Sequence, residues 1–221
     1  MAHIILNRNL VSAVRKMKSV IVCNGEDPGK RVLNRCLKNC DLLIAADGGA
    51  NTLLRHGFTP HFITGDMDSF TPENPHNFNI IHDADQESND LEKALKLASA
   101  RKATDVIVCG ATGKRLDHAL KNLSVILRYE DTFTDLLAVD KYLNYRILPK
   151  QFSMKTKPGS LISLFPMSGR VDGITTRGLK YPLNNEHLEN GLRDGSSNEA
   201  AEKEITITYE SGSLLLMTKS R

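Results

Sequence analysis

Short apolar runs interleaved with stretches of helical spacing constrain this chain more than any other feature. Val20-Ile21-Val22-Cys23, Leu42 to Ala46, His61 to Thr64, Asp105 to Cys109 and Leu136 to Val139 are brief and largely unbroken in hydrophobicity. Runs of that kind suit the middle of a parallel sheet, where both faces of every strand are covered. The intervening segments supply the cover. Pro28 to Lys38 reads as a helix with Pro in its first turn. After Gly48-Gly49 a helix sets Ala50, Leu53 and Leu54 on one face and stops at Gly57. Phe78 to His82 reads as a further strand. Asn89 caps a helix running to Ala100, with Asp90 and Glu92 in the first turn, where the helix dipole favours acids. Leu116 to Tyr129 is the next helix. The fold class expected is α/β, a mostly parallel sheet with helices on both faces.

After about Leu148 the character changes. Ser160 to Phe165, Val171 to Thr176, Leu179 to Leu183, Ile205 to Tyr209 and Leu214 to Thr218 are strand-like runs separated by turn residues. Ile205, Ile207 and Tyr209 alternate with Thr206 and Thr208, the period of a half-buried antiparallel strand. The polar stretch Asn184 to Lys203 reads as the longest loop-like insertion. The expected organisation is therefore an extension over 1–18, an α/β domain over 19–148 and a smaller antiparallel β-sandwich over 149–221. The extension carries Arg8, Arg15, Lys16 and Lys18 with no acid before Glu26. It has some likeness to a basic transit peptide but lacks the apolar core of a secretory signal, and it reads as a helical or loosely ordered segment.

Composition narrows the partners. A net charge of +3 over 221 residues gives no argument for nucleic acid or a membrane surface. The absence of Trp also weighs against single-stranded nucleic acid, which is bound on stacking platforms. No apolar run approaches the roughly 20 residues that span a bilayer. Cys23, Cys36, Cys40 and Cys109 have neither CxxC spacing nor a companion Cys/His set, so reduced structural thiols in a cytoplasmic protein are expected, without zinc.

The chemistry gathers where the apolar runs end, and ligands of open α/β sheets bind beyond the carboxyl ends of their strands. Those ends are Ala46-Asp47-Gly48-Gly49, Gly65-Asp66-Met67-Asp68-Ser69, Gly110-Ala111-Thr112-Gly113 and Val139-Asp140. Asp66 and Asp68 sit badly together in a plain turn: at about 5 Å and an effective dielectric near 20 their repulsion is roughly 3 kcal/mol. Hard Mg²⁺ would reverse that cost, since it favours one or two carboxylates together with phosphate oxygens. Asp90 is a candidate third carboxylate. Gly110 to Arg115 follows a strand and opens a helix, the arrangement that attracts phosphate. Neither that segment nor Gly25 to Arg31 has Walker A spacing, and no GxGxxG occurs. Asp117 and His118 are adjacent on a helix and do not face each other, so His118 reads as a surface or packed residue in preference to a catalytic one. In the second half, Ser196-Ser197-Asn198 offers hydroxyl and amide groups suited to a polar heterocycle, although alone it reads as loop. Tyr181 reads as packing.

Taken in order, Ala46 to Gly49, Gly65 to Ser69, Asp85-Gln86 with Asp90, Gly110 to His118, Gly178-Leu179-Lys180-Tyr181 and Ser196 to Asn198 resemble the motif set of the thiamine pyrophosphokinase family. The resemblance runs from about Ser19 to the C-terminus. It implies a homodimer, with thiamine held between the α/β domain of one subunit and the sandwich of the other. It also implies transfer of the β,γ-pyrophosphoryl group of ATP to the thiamine hydroxyl. By position, Asp66, Asp68 and Asp90 match the Mg²⁺-site acids, and these with Arg115 match the catalytic set. Asp47, Gly48, Gly110, Gly113, Arg115 and Asp117 match the ATP side. Gln86, Ser197 and Asn198 match thiamine contacts. Two departures stand out: Asn89 where a threonine is common, and no Trp near Leu215-Leu216, where animal members carry one for stacking. A pyrophosphokinase for another hydroxymethyl heterocycle, such as a pterin, and a non-catalytic nucleotide or thiamine sensor are the alternatives.

Overall fold

The computed structural model describes residues 16–70, 75–85 and 87–220. The extension expected over 1–18 lies outside these residues up to position 15. From there the chain is already engaged in the fold, because the Met17 amide donates to Thr104 Oγ1 at 3.0 Å.

The first half alternates as expected. Strand β1 (Lys18–Val22) is followed by α1 (Lys30–Leu37), β2 (Leu42–Ala46), α2 (Gly49–Arg55), β3 (Phe62–Gly65) and β4 (Ile80–His82). Helix α3 (Asp90–Ala100), β5 (Asp105–Cys109), α4 (Leu116–Arg128) and β6 (Asp135–Val139) complete it. These six strands pair in parallel in the order β4-β3-β2-β1-β5-β6. All of β2 is buried, because each face of the sheet has its own layer of helix. Ile21 joins the cluster built from Leu91, Leu95 and Ile126 of α3 and α4. Its neighbours Val20 and Val22 point to the other face, among Val32, Leu33 and Leu53 of α1 and α2. The period-2 alternation of strand side chains makes one five-residue run serve both cores. Asn89 caps α3 as expected, its Oδ1 accepting from the Glu92 amide at 3.0 Å.

The second half contributes β7 (Leu143–Ile147), β8 (Gln151–Lys155), β9 (Leu161–Pro166), β10 (Arg170–Arg177) and β11 (Glu186–Glu189), then β12 (Gly195–Glu199), β13 (Glu204–Thr208) and β14 (Leu214–Lys219). β7 pairs antiparallel with β6 and carries the first sheet onward through β14 and β9 to β12. Among the described residues this gives one ten-stranded sheet, parallel in one part and antiparallel in the other. A four-stranded antiparallel sheet, β11-β10-β13-β8, packs on its antiparallel part. Ile162, Leu164, Ile174, Leu188, Ile205 and Ile207 fill the space between.

Two expectations for this half are corrected. Leu179 to Leu183 is not a strand: Leu179 makes a single bridge to Ala200, and Pro182 has no amide hydrogen to extend a ladder. Asn184 to Lys203 is not a loop but holds both β11 and β12. Among the described residues no helix is long and apolar enough to cross a membrane.

Candidate active site

The strand order reverses at β1: the chain steps outward from it through β2, β3 and β4, then crosses to β5 on its other side. Crevices form at such switch points, at the carboxyl ends of the strands. Here a cleft of about 620 Å³ opens, lined among others by Asn24, Asp47, Asp66, Asp68, Asp90, Lys114 and Arg115.

One wall is acidic. Parallel pairing sets Ala46 beside Thr64, so the loops after β2 and β3 leave the sheet at one level. The Asp47 amide donates to the Thr64 carbonyl at 2.8 Å. As a result Asp47, Asp66 and Asp90 each bring a carboxylate oxygen within 4.8 Å of the other two. Gly65 makes this approach possible, since a Cβ there would lie 2.8 Å from Asp90 Oδ1 and 2.9 Å from Asp47 Cβ. Asp47 (φ 43°) and Met67 (φ 65°) both hold left-handed backbone, and such conformations in non-glycine residues collect at functional sites. Burial, then the charges of Asp47 and Asp66, push the Asp90 carboxyl up to about 6, against a smaller opposing effect of Lys93. Asp47 is also raised, first by burial, although hydrogen bonds from the Gly48 amide and the Ser69 side chain oppose this.

Asp68 stands just outside this trio on the exposed rim. Its amide donates to Asp66 Oδ1 at 3.3 Å, and its carboxylate accepts from Ser69 Oγ at 2.8 Å. The sequence assigned Asp47 to the nucleotide side, and its place among the acids was not anticipated. Lys93 was missed as well. It lies one helical turn beyond Asp90, is buried, and donates to the Asp83 carbonyl at 2.6 Å. The only signal for it was the Asp90-x-x-Lys93 spacing, which puts both on one helix face.

The opposite wall is the loop after β5. Gly110 (φ 65°) turns it, and the Gly25 amide donates to the Gly110 carbonyl at 2.8 Å. The loop ends at α4, whose N-cap residue Arg115 makes no side-chain cap; the His118 amide donates to Asp117 Oδ1 at 3.0 Å, and the positive end of the helix still favours an anion. Lys114 donates to Asn24 Oδ1 at 3.0 Å. Arg115 pairs with Asp117 at 2.5 Å, both side chains exposed, and the guanidinium holds Asp117 down at about 2. Gly48 packs under the cleft floor, where a Cβ would meet Asn24 Nδ2 at 2.4 Å. At Gly113 a Cβ would meet that of Glu26 at 2.5 Å.

Of the residues matched to thiamine, Gln86 lies outside the described residues. Ser197 (φ 59°) and Asn198 are on β12. Asn198 is buried, and its amide clamps Tyr181: Oδ1 accepts from the Tyr181 amide at 3.1 Å, and Nδ2 donates to the Tyr181 carbonyl at 2.7 Å. The Tyr181 side chain is not packed as expected, since the residue is 62% exposed. Leu216, by contrast, is buried in the sandwich core.

Fold and cleft together define a doubly wound α/β protein whose switch-point crevice sets an acidic cluster against a glycine-rich anion loop, with an antiparallel sandwich appended. Known proteins make the assignment specific. The family described as "Thiamin pyrophosphokinase, catalytic domain" matches residues 33–138, and "Thiamin pyrophosphokinase, vitamin B1 binding domain" matches 147–214. Thiamine pyrophosphokinase 2 of Arabidopsis thaliana is 30% identical over 215 residues, covering 83% of this chain and 79% of that protein. Thiamine pyrophosphokinase of Bacillus subtilis is 29% identical over 184 residues, covering 80% and 86%. The crystal structure of the Bacillus subtilis enzyme superposes with a TM-score of 0.80 at 25% identity, covering 93% of this chain and 99% of that one. That of Geobacillus thermodenitrificans gives 0.79 at 28%, covering 93% and 98%. The chain belongs to the thiamine pyrophosphokinase family.

Proposed function

We propose that this protein transfers the pyrophosphoryl group of ATP to the hydroxyl of thiamine, giving thiamine diphosphate and AMP, with Mg²⁺ as cofactor. The observation that carries this is the convergence of Asp47, Asp66 and Asp90 within 4.8 Å in the same cleft as the loop from Gly110 to Arg115. The donor set, oxygen only and anionic, fits a hard divalent cation. Asp47, Asp66 and Asp90 would hold it, with Asp68 at the rim, and bound Mg²⁺ supplies charge neutralisation to ATP oxygens.

The rest of the work falls to the chain's own groups. The amino-terminal end of α4 and the ammonium of Lys114 would meet the phosphates as positive ends. Arg115, released from Asp117, would stabilise charge developing on the transferred group. A bond forms between the thiamine hydroxyl oxygen and the β-phosphorus while the hydroxyl proton is lost to water or a cleft carboxylate; the bond from the β-phosphorus to the α,β-bridging oxygen breaks, and AMP departs with that oxygen. Catalysis here is positioning plus electrostatics.

The strand order supports a homodimer with a shared site. Ser197 and Asn198 lie on β12, five strand spacings from β5, about 24 Å at 4.8 Å per spacing. They are not among the residues that line the cleft of their own chain, and in this reading a second copy presents them. Cys23, Cys36, Cys40 and Cys109 are free thiols, in keeping with the reducing cytoplasm.

The substrate is tested by offering the purified protein ATP and Mg²⁺ with either thiamine or a hydroxymethylpterin. Turnover with thiamine alone is expected. Preferential turnover of the pterin, or nucleotide binding with no turnover of either, would overturn the assignment.

A further inference from the structure

Asp90 of the acidic wall opens α3, the phosphate loop runs into α4, and two asparagine side chains join the two segments. Asn89 caps α3 through Oδ1 and donates its Nδ2 to Asn122 Oδ1 at 2.7 Å. Asn122, on α4, donates its own Nδ2 to the Ala111 carbonyl at 2.7 Å. Asp90 follows Asn89 directly, and Ala111 follows Gly110. An unbroken run of hydrogen bonds therefore leads from the helix end that carries Asp90 to the glycine-rich loop. The amide orientations are fixed by this pattern: turning Asn122 over would set its amino group against that of Asn89 and its oxygen against the Ala111 carbonyl. Both asparagines line the cleft.

We infer that Asn89 and Asn122 form a positioning relay that fixes the spacing between the carboxylate cluster and the phosphate-binding loop, and thereby sets affinity for magnesium–ATP and not for thiamine. This rests on the cleft being the magnesium–ATP site. These amide groups are spent on each other and on the backbone, so each residue acts through what it holds. The relay also gives a reason for asparagine at 89. Threonine would also cap α3 through its hydroxyl, but its side chain ends one atom sooner than Nδ2, short of Asn122.

The test is a double-variant cycle with Asn89→Thr and Asn122→Leu. Calorimetry would read magnesium–ATP binding without thiamine, and kinetics would give KM for each substrate. Asn122→Leu should weaken magnesium–ATP about tenfold, the effect of a hydrogen-bonded link, with the thiamine KM unchanged within about twofold. Asn89→Thr should weaken it less. The double variant should match Asn122→Leu alone, because residues acting as one unit are not additive. Should Asn122→Leu not fold, Asn122→Asp, which keeps the acceptor for Asn89 and loses the donor to Ala111, replaces it. Multiplicative losses, equal losses in both KM values, or unchanged nucleotide affinity would overturn the relay. Intact coupling in nucleotide binding, with no thiamine turnover, would instead overturn the proposed function and leave the relay standing.

Discussion

Replacing Asp47 by Asn should stabilise the metal-free protein while disabling it. Three carboxylates share a region in which their oxygens lie within 4.8 Å. At that separation and an effective dielectric near 20, each pair repels by about 3.5 kcal/mol. Asp66 and Asp90 are partly exposed, so solvent screening leaves at most about half of this. Asp47→Asn removes two of the three pairs and keeps an acceptor for the Ser69 amide, which now reaches Asp47 Oδ2 at 3.2 Å. Asparagine also tolerates the left-handed backbone at this position. A net gain of about 1–3 kcal/mol follows, which for a chain of this size raises Tm by roughly 3–10 °C. Losing one anchor of the cation should cost turnover about 10²–10³-fold, the usual effect of removing such a contact. Thermal melting in EDTA and steady-state rates at saturating Mg²⁺ read the two quantities. A variant that melts lower in EDTA and turns over normally would refute the electrostatic reasoning, and would leave Asp47 as a residue that only shapes its loop.

The raised Asp90 carboxyl, at about 6, lies above its unfolded value near 3.9. The native state then binds the extra proton between these values, so metal-free stability should fall as pH rises across that window. Mg²⁺ needs the ionised form: its apparent affinity should drop about tenfold per unit below pH 6 and level off above about 7, and a flat titration from pH 5 to 7 would contradict this. Asn198→Ala frees the backbone of Tyr181 and should raise the thiamine KM about tenfold with magnesium–ATP binding unchanged; a shift in nucleotide affinity instead would be the wrong result. Gly25→Ala would put a Cβ 2.2 Å from the Gly110 carbonyl oxygen, so calorimetry should show nucleotide affinity reduced more than thiamine affinity. At thiamine well below its KM, adding inactive Asp66→Asn chains to the weakened Asn198→Ala chains should raise the activity through exchanged subunits if sites are shared, and should not raise it if each chain is self-sufficient.

The parallel half was legible because its strands are buried on both faces, and burial writes itself as unbroken apolar sequence. Asp105–Cys109 and Leu42–Ala46 needed no tertiary information. The sandwich strands were harder. β12, Gly-Ser-Ser-Asn-Glu, is a sheet edge with one buried side chain, Asn198, and its burial pattern carries no apolar signal. β11 shows only Leu188 as buried. β8 alternates exposed and half-buried residues too weakly to separate from loop. At the site, the glycine-rich loop and the Asp-x-Asp pair were visible as local motifs. The grouping of Asp47 with Asp66 and Asp90 was not, because it depends on the register that sets Ala46 beside Thr64, a tertiary fact. The link from Asn89 to Asn122 is hidden for the same reason: capping explained Asn89 from its neighbours alone, and nothing local pointed to its second partner.

The most direct test is the product ratio. Protein incubated with ATP, Mg²⁺ and thiamine, then resolved by chromatography, should yield AMP and thiamine diphosphate in equal amounts, with both lost on adding EDTA. ADP with thiamine monophosphate, or ATP consumption that does not depend on thiamine, would contradict pyrophosphoryl transfer at this cleft.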